Sequence, residues 1–162
     1  MKKILIFIMV SFICKAIFSQ EPEKKTQEQT NEIKINIMNT IIFAYPEVNF
    51  ERVFSDEFGV GLSAAATFLD NKIETIDLIW HIMPYGRIYF NSNNFFLESN
   101  MTILSYKDTS TEINTSFGIG VAVGCKFIFK NIVSDSFVGV GRVLGEYEHF
   151  YPRCGVTIGF VF

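Results

Sequence analysis

The sequence predicts an all-β protein, an eight-stranded antiparallel up-and-down transmembrane β-barrel. Apolar and polar residues alternate with a period of two from Asn31 to the last residue, which is the pattern of strands with two unlike faces. Of the 162 residues, 49% are apolar and only 19% are charged, yet after residue 19 no uncharged apolar run reaches the length of a membrane helix. Eight alternating runs can be distinguished, and an outer-membrane barrel needs an even number of strands.

Residues 1–19 have the three parts of a secretory signal peptide. Lys2 and Lys3 precede an apolar run, and a short polar exit follows it. The run is too short for a membrane helix and has no stop-transfer flank. We therefore expect cleavage after Ser19, which leaves Gln20 as the first residue of the mature chain.

The mature chain is predicted to consist of a polar periplasmic leader, residues 20–31, and a barrel domain, residues 32–162. The leader contains no aromatic residue and is too polar to fold alone. Three lysines leave with the signal, so the 14 Lys and Arg fall to 11 while 17 Asp and Glu remain, a net charge of about −6. This acidic balance argues against nucleic acid as a partner, because nucleic-acid binding requires a basic surface.

The N-terminal half of the barrel domain contains four alternating runs. The third is the clearest, since apolar side chains from Phe58 to Phe68 occupy one face and Gly, Ser, Ala and Thr occupy most of the other. The fourth contains Pro84, which lacks the amide donor that a sheet requires, so we expect a β-bulge there. The four runs predict strands at about 32–43, 47–54, 58–68 and 73–90.

The C-terminal half repeats the pattern, with strands predicted at about 95–106, 117–127, 132–142 and 151–162. The connections after the second, fourth and sixth strands are tight, and those after the fifth and seventh are longer. Short turns on one side and longer loops on the other are typical of outer-membrane barrels whose termini both lie on the periplasmic side.

The composition of the two faces indicates which one points inward. One face carries large apolar residues, whereas the other is dominated by Gly, Ala, Ser and Thr with isolated charges. A soluble barrel would expose many Lys and Glu, and Gly is a poor choice for an exposed strand. Small residues suit the narrow interior of an eight-stranded barrel. We therefore expect the apolar face to contact lipid and the small, charged face to point inward.

Charged residues on the predicted inner face are balanced, four basic against four acidic. Buried charges are tolerated only when they are paired, and this balance allows each one a partner. Such a network would plug the lumen, so a conducting pore is not expected. The predicted lumen network consists of Lys34, Glu47, Glu51, Arg87, Glu98, Lys126, Asp135 and Arg153.

The C-terminus carries the most specific motif. The chain ends on Phe162, and Phe160, Ile158 and Val156 alternate behind it. A terminal aromatic residue on an alternating final strand resembles the signal that the outer-membrane assembly machinery reads. We therefore expect Phe160 and Phe162 to form an assembly signal.

Five segments resemble a family of small outer-membrane β-barrel proteins of unknown function from Gram-negative bacteria. The more specific parts are YPEVNFER and the closing PRCGVTIGF. The resemblance implies an outer-membrane barrel, and it brings no catalytic or binding residues. The segments are NEIKINIMN (31–39), YPEVNFERVF (45–54), MPYGRIYF (83–90), VGVGRVLG (138–145) and YPRCGVTIGFVF (151–162).

Two alternatives stay open. Some eight-stranded outer-membrane barrels modify lipid A with an activated nucleophile, and this chain has His81, with Asp77 one pleat away, and His149, with Glu146 and Glu148 beside it. His81 is predicted to face inward and His149 has no evident Ser partner, so we expect no enzymatic turnover. The other alternative is a secreted soluble barrel of lipocalin type that binds an apolar ligand.

The sequence gives no support for a cofactor or a metal. Cys125 and Cys154 are predicted on strands separated by another strand, which favours free thiols over a disulfide. We expect a monomeric protein of the outer membrane with a structural or interaction role. Its expected partners are outer-membrane lipid and, during biogenesis, the assembly machinery.

Overall fold

Eight strands close into an antiparallel up-and-down barrel in which each strand is hydrogen-bonded to the next and the last pairs with the first. The computed structural model describes residues 30–67, 78–90, 94–107, 113–144 and 150–162. The predicted eight-stranded antiparallel up-and-down barrel is confirmed. The elements are β1 Thr30–Asn36, α1 Ile37–Phe43, β2 Glu47–Ser55, β3 Phe58–Ala66, β4 Leu78–Phe90, β5 Phe95–Lys107, β6 Ile113–Phe129, β7 Ile132–Leu144 and β8 Phe150–Val161.

One end of the barrel, the turn end, holds the start of β1 and the end of β8. There the Asn31 amide donates to the Phe162 carbonyl (2.9 Å) and the Phe162 amide donates to the Asn31 carbonyl (2.8 Å). The β2–β3, β4–β5 and β6–β7 connections at this end are 2, 4 and 2 residues long. Asn94 and Lys130 adopt the left-handed conformation in these turns, both with a φ of 56°.

The opposite end, the loop end, holds α1 and the longer connections. The β3–β4, β5–β6 and β7–β8 connections are 11, 5 and 5 residues long. The predicted tight turns after the second, fourth and sixth strands and longer connections after the fifth and seventh are therefore confirmed. The third connection is longer than the predicted bounds 58–68 and 73–90 imply, and residues 68 and 73–77 of those predicted strands lie outside the described residues. The start of β1 at Thr30 places the last two residues of the predicted leader, residues 20–31, on a strand.

The two faces of the strands differ as the alternation predicts. On β6, Phe117, Ile119 and Val121 point outward and are more than 45% exposed, whereas Ala122 and Lys126, farther along the strand, are buried inside the barrel. The same parity separates exposed apolar side chains from buried polar ones on β1, β2 and β5. The apolar side of the sheet is therefore its outer side.

The first predicted strand, residues 32–43, is wrong in its second half. The strand ends at Asn36, and Ile37–Phe43 form the helix α1. The Asn36 side chain caps the helix by accepting from the Asn39 amide (3.2 Å). Ala44 ends it in the left-handed conformation with a φ of 49°.

The bulge predicted at Pro84 is also wrong. Pro84 lies opposite Leu62 in an unbroken register with β3. On the β5 side, the pairs Ile82–Ile103 and Tyr85–Asn100 belong to one register, so no extra residue is inserted between them. Pro84 lacks an amide donor, and its position therefore interrupts the bonding to β5 without shifting the strand.

Small residues on the inner face make room for aromatic rings. A Cβ atom at Gly141 would overlap the ring of Tyr151, and one at Gly61 would overlap the ring of Tyr85. The Tyr151 hydroxyl donates to the Asn100 side-chain oxygen across the lumen (2.8 Å). The prediction that glycines relieve crowding inside the barrel is confirmed.

Candidate functional site

All eight residues of the predicted lumen network lie inside the barrel and are at most 6% exposed. Glu32, which the prediction missed, is buried with them. Its signal was its parity, since it stands two residues before Lys34 on β1. Among the described residues, the interior therefore holds five carboxylates and four cations: Glu32, Glu47, Glu51, Glu98 and Asp135 with Lys34, Arg87, Lys126 and Arg153.

Lys34 lies at the centre of the network, bound by three carboxylates. Its Nζ atom is 2.8 Å from Glu32, 2.6 Å from Glu51 and 2.7 Å from Asp135. Lys126 reaches two of the same groups, Glu32 at 2.8 Å and Glu51 at 3.0 Å. Each lysine therefore has at least two opposite charges within hydrogen-bond distance, which offsets the cost of removing it from water.

Arg87 joins this centre to a further carboxylate, that of Glu98. Its guanidinium lies 2.8 Å from Glu51 and 2.7 Å from Asp135, and also 2.8 Å from Glu98. Arg153 then bridges Glu98 at 3.0 Å and Glu47 at 2.6 Å. Because Glu98 is shared by both arginines, all nine charged side chains belong to one connected network.

Aromatic rings surround the cations of the network. The Arg87 guanidinium lies 4.1 Å from the ring centre of Phe96, and the Arg153 guanidinium lies 4.4 Å from that of Phe137. The Lys126 ammonium lies 4.5 Å from the ring centre of Tyr89, whose hydroxyl donates to Glu51. The rings attract the cations and exclude water from them, so these ion pairs are weakly screened.

At the loop end, the Glu47 carboxylate ties α1 to the barrel. It accepts from the Asn36 side chain at 2.8 Å and from the Asn39 side chain of α1 at 2.6 Å. It also accepts from the Ser63 hydroxyl at 2.6 Å. Glu47 therefore belongs both to the ion-pair network and to the attachment of the helix, a role that its position on a strand did not indicate.

His81 lies beside Ser63, a contact that sequence reasoning did not predict. Its Nε2 atom is 3.3 Å from the Ser63 hydroxyl and its Nδ1 atom is 2.9 Å from the Tyr45 hydroxyl. Ser63 donates its proton to Glu47, so it can only accept from His81, and this places the imidazole proton on Nε2. Nδ1 then accepts from the Tyr45 hydroxyl, which also lies 3.5 Å from the Ala65 carbonyl. Burial, together with the neighbouring Glu47 carboxylate, raises the pKa of the Tyr45 hydroxyl, which therefore keeps its proton.

This order differs from that of a Ser–His–acid triad. In a triad the carboxylate accepts from the histidine and the histidine accepts from the serine. Here the carboxylate of Glu47 accepts from Ser63 directly, and a tyrosine takes the orienting position on His81. The hydrogen bonds of the cluster are made among its own groups, and the group that accepts the serine proton is the Glu47 carboxylate instead of the imidazole.

The other catalytic candidates lie outside the described residues. These are Asp77, His149, Glu146 and Glu148. Within the described ranges, no cluster of three or more His, Cys, Asp or Glu side chains is arranged to hold a metal ion.

The predicted assembly signal lies on the outer surface at the turn end. Phe160 is 63% exposed and Phe162 is 67% exposed. Cys125 on β6 and Cys154 on β8 are half-buried and are not joined in a disulfide bond, and β7 lies between their strands.

The part of the chain that the structure describes contains no helix long and apolar enough to cross a membrane. No protein-family model, curated protein or solved structure matches this chain. The resemblance to small outer-membrane barrels of unknown function therefore stays a prediction.

Proposed function

We propose that this chain is a small outer-membrane β-barrel protein, exported through a cleaved signal peptide, with a plugged lumen and a structural or interaction role without enzymatic turnover. The observation that carries the proposal is the inversion of the two faces. Among the described residues, 34 large apolar side chains are exposed, while nine charged side chains are buried inside. A barrel in water would gain stability from the opposite arrangement.

The outward charges give further support. Arg52 lies near the turn end of β2 and Arg142 near the loop end of β7, and both point outward. Between these levels the outer face is largely apolar. Such a band, bordered by polar groups at both ends, suits a bilayer whose hydrocarbon core is bordered by headgroups.

The plugged lumen is supported by the interior network. Side chains at Lys34, Glu51 and Arg87 are at most 1% exposed, and they meet near the barrel axis from different walls. An eight-stranded barrel has an interior just wide enough for side chains. A role that needs a water-filled channel is therefore not proposed.

Membrane fractionation tests the proposal together with migration on a detergent gel before and after heating. We expect the full chain to sediment with the outer membrane, to begin at Gln20 by mass spectrometry and to migrate faster when unheated. Recovery in the soluble periplasmic fraction without detergent would contradict the membrane role and favour a soluble ligand-binding barrel. Altered lipid A mass spectra on deletion or overexpression would contradict the absence of turnover.

A further inference from the structure

The wall of the barrel is lower at β1 and β2 than at β8. β1 pairs with β8 only as far as Asn36, which lies opposite Thr157, and β2 begins beside it at Glu47. β8 continues seven residues farther toward the loop end, to Phe150, and the described strands pair with it there on one side only, through β7. The wall therefore has a notch on the loop-end side of β1 and β2, and β8 forms one edge of it.

The helix α1 occupies this notch and is attached on both sides of it. On one side it packs against β8, where the Asn36 side-chain amide donates to the Cys154 carbonyl (3.4 Å). On the other side, the hydroxyl of Tyr45, just after the helix, lies 3.5 Å from the Ala65 carbonyl of β3. The helix therefore takes the place of the missing part of the wall.

The length of α1 keeps it below the loop-end border of the apolar band. Arg142, the outward cation near that border, lies opposite Phe150 in the register of β7 and β8. From the level of Asn36 to Phe150, β8 runs about 23 Å along the strand and, at a tilt of about 40°, about 17 Å along the barrel axis. The seven residues of α1 rise only about 10 Å, even if the helix is parallel to that axis. The helix therefore lies at the depth of the outer apolar side chains.

The side of α1 that faces away from the interior is apolar. Ile41, Ile42 and Phe43 are 76%, 55% and 46% exposed. Asn39 marks the inward side of the helix, since its side chain donates to the buried Glu47 carboxylate. Ile41 follows Asn39 by two residues, about 200° around the helix, and so points away from the barrel. Exposed apolar side chains of this size are unfavourable in water, but here they continue the apolar outer surface of the barrel.

We propose that α1 is a membrane-embedded part of the barrel wall and that Ile41, Ile42 and Phe43 contact lipid acyl chains. This inference rests on the proposed membrane location and goes beyond it, because a connection at the loop end would otherwise be expected in water. It also accounts for a helix in a segment whose composition favours a strand. Where water is absent, backbone amides and carbonyls must find partners within the protein, and a helix provides them without a neighbouring strand.

Fluorescence quenching by brominated lipid tests the position of α1. Trp80→Phe first removes the single Trp of the chain, and Ile41→Trp then places the probe on α1. The full chain is reconstituted in phosphatidylcholine vesicles whose acyl chains carry bromine near their middle. We expect the probe to be quenched as strongly as Met101→Trp, made in the same background on the outer face of β5, where Met101 is 64% exposed. Phe43→Trp, which exchanges one aromatic ring for another, should behave in the same way.

Glu57→Trp is the matched control in water, because Glu57 is exposed in the β2–β3 turn. It should be quenched little by brominated lipid and strongly by acrylamide in the buffer. If the α1 probes behave like Glu57→Trp, α1 lies in water and the inference is overturned. Emission at short wavelength without quenching by either agent would also overturn it, because protein, such as a second copy of this chain, would then cover the helix.

The Met101→Trp probe separates this inference from the proposed function. If lipid does not quench it and the protein is recovered without detergent in the soluble fraction, the membrane role fails, and the membrane position of α1 fails with it. If lipid quenches Met101→Trp but not the α1 probes, only the inference about α1 fails. Each variant is run on a detergent gel before and after heating, so that only folded barrels are compared.

Discussion

Glu51 is the residue on which most of the interior charge network depends. Its carboxylate lies within 3.0 Å of three cations, those of Lys34, Arg87 and Lys126. It also accepts from the Tyr89 hydroxyl. A buried cation that loses its counter-charge still bears the desolvation free energy of burial, with no ion pair to offset it. The loss of the Glu51 carboxylate therefore destabilises three cations at once.

We expect Glu51→Gln to destabilise the barrel by about 3–5 kcal/mol, the usual cost of breaking a buried ion pair from one side. The measurement is the midpoint of urea unfolding in detergent, followed by the fluorescence of Trp80, the single Trp of the chain. Glu57→Gln, the same change at an exposed carboxylate of the β2–β3 turn, should leave the midpoint unchanged.

A double variant tests whether the cause is charge. Lys126→Gln added to Glu51→Gln removes one cation together with the carboxylate, so the pair should cost less than the sum of the two single changes. Simple additivity would show that the Glu51–Lys126 ion pair contributes nothing to the effect of Glu51→Gln.

Gly159 on β8 is the residue at which the closing strands of the barrel approach most closely. A Cβ atom there would overlap the backbone of β1 at Ile33 and Lys34, and backbone cannot move aside as a flexible side chain can. We expect Gly159→Ala to cost about 1–3 kcal/mol in the same unfolding measurement. Gly86→Ala is the matched control, since the nearest atom to its Cβ is 3.9 Å away, and an unchanged Gly159→Ala midpoint would contradict the close approach.

At the scale of elements, alternation predicted strands well and the helix poorly. The run from Ile37 to Phe43 is rich in β-branched and aromatic residues, which favours a strand. The alternation stops after Asn36. A capping Asn at the start and Pro46 just beyond the end are signals of a helix, but the β propensity of residues 37–43 led to the prediction of a strand. Asn36 and Asn39 donate to Glu47, which lies on β2. The pattern within residues 37–43 therefore could not predict these hydrogen bonds.

The C-terminal strand helps to close the barrel and carries the predicted assembly signal, and deletion of Phe162 would affect both. The Phe162 backbone forms two hydrogen bonds with Asn31 that help to close the barrel, whereas its side chain points outward. Phe162→Ala removes the ring and keeps both bonds. We expect this variant to lower the yield of assembled, heat-modifiable barrel in cells, because the predicted assembly signal lies in the ring and not in the backbone.

Phe129→Ala is the matched control for that prediction. Phe129 ends β6 at the same end of the barrel and is 65% exposed, against 67% for Phe162. It should assemble normally. Equal losses in both variants would show that exposed aromatic residues at the turn end matter for membrane contact in general and that Phe162 is not a specific signal.

At the scale of the whole molecule, the parity of the strands predicted which residues enter the lumen but not how they meet. All eight charged residues assigned to the interior are found there. Parity fixes the face of each side chain, because a one-residue shift of register would turn every side chain of a strand to the other face. Contacts across the lumen, such as Lys34 with Asp135, join strands far apart in sequence. They depend on strand number, register and tilt together, which alternation along one strand does not encode.

The filled interior leads to a prediction about permeability. We expect the unchanged chain, reconstituted in a planar bilayer, to give no discrete conductance steps, because the side chains of Lys34, Arg87 and their carboxylates fill the interior and are almost fully buried.

The double variant Arg87→Ser, Glu98→Ser removes one cation and one anion that lie 2.8 Å apart and keeps the interior charge balance. It should admit water and small ions and give steps that the unchanged chain lacks, provided that it still migrates faster when unheated. Steps from the unchanged chain would contradict the plugged lumen whatever the variant does, and a folded variant that stays silent would show that the rings of Phe96 and Phe137 beside Arg87 suffice to close the barrel.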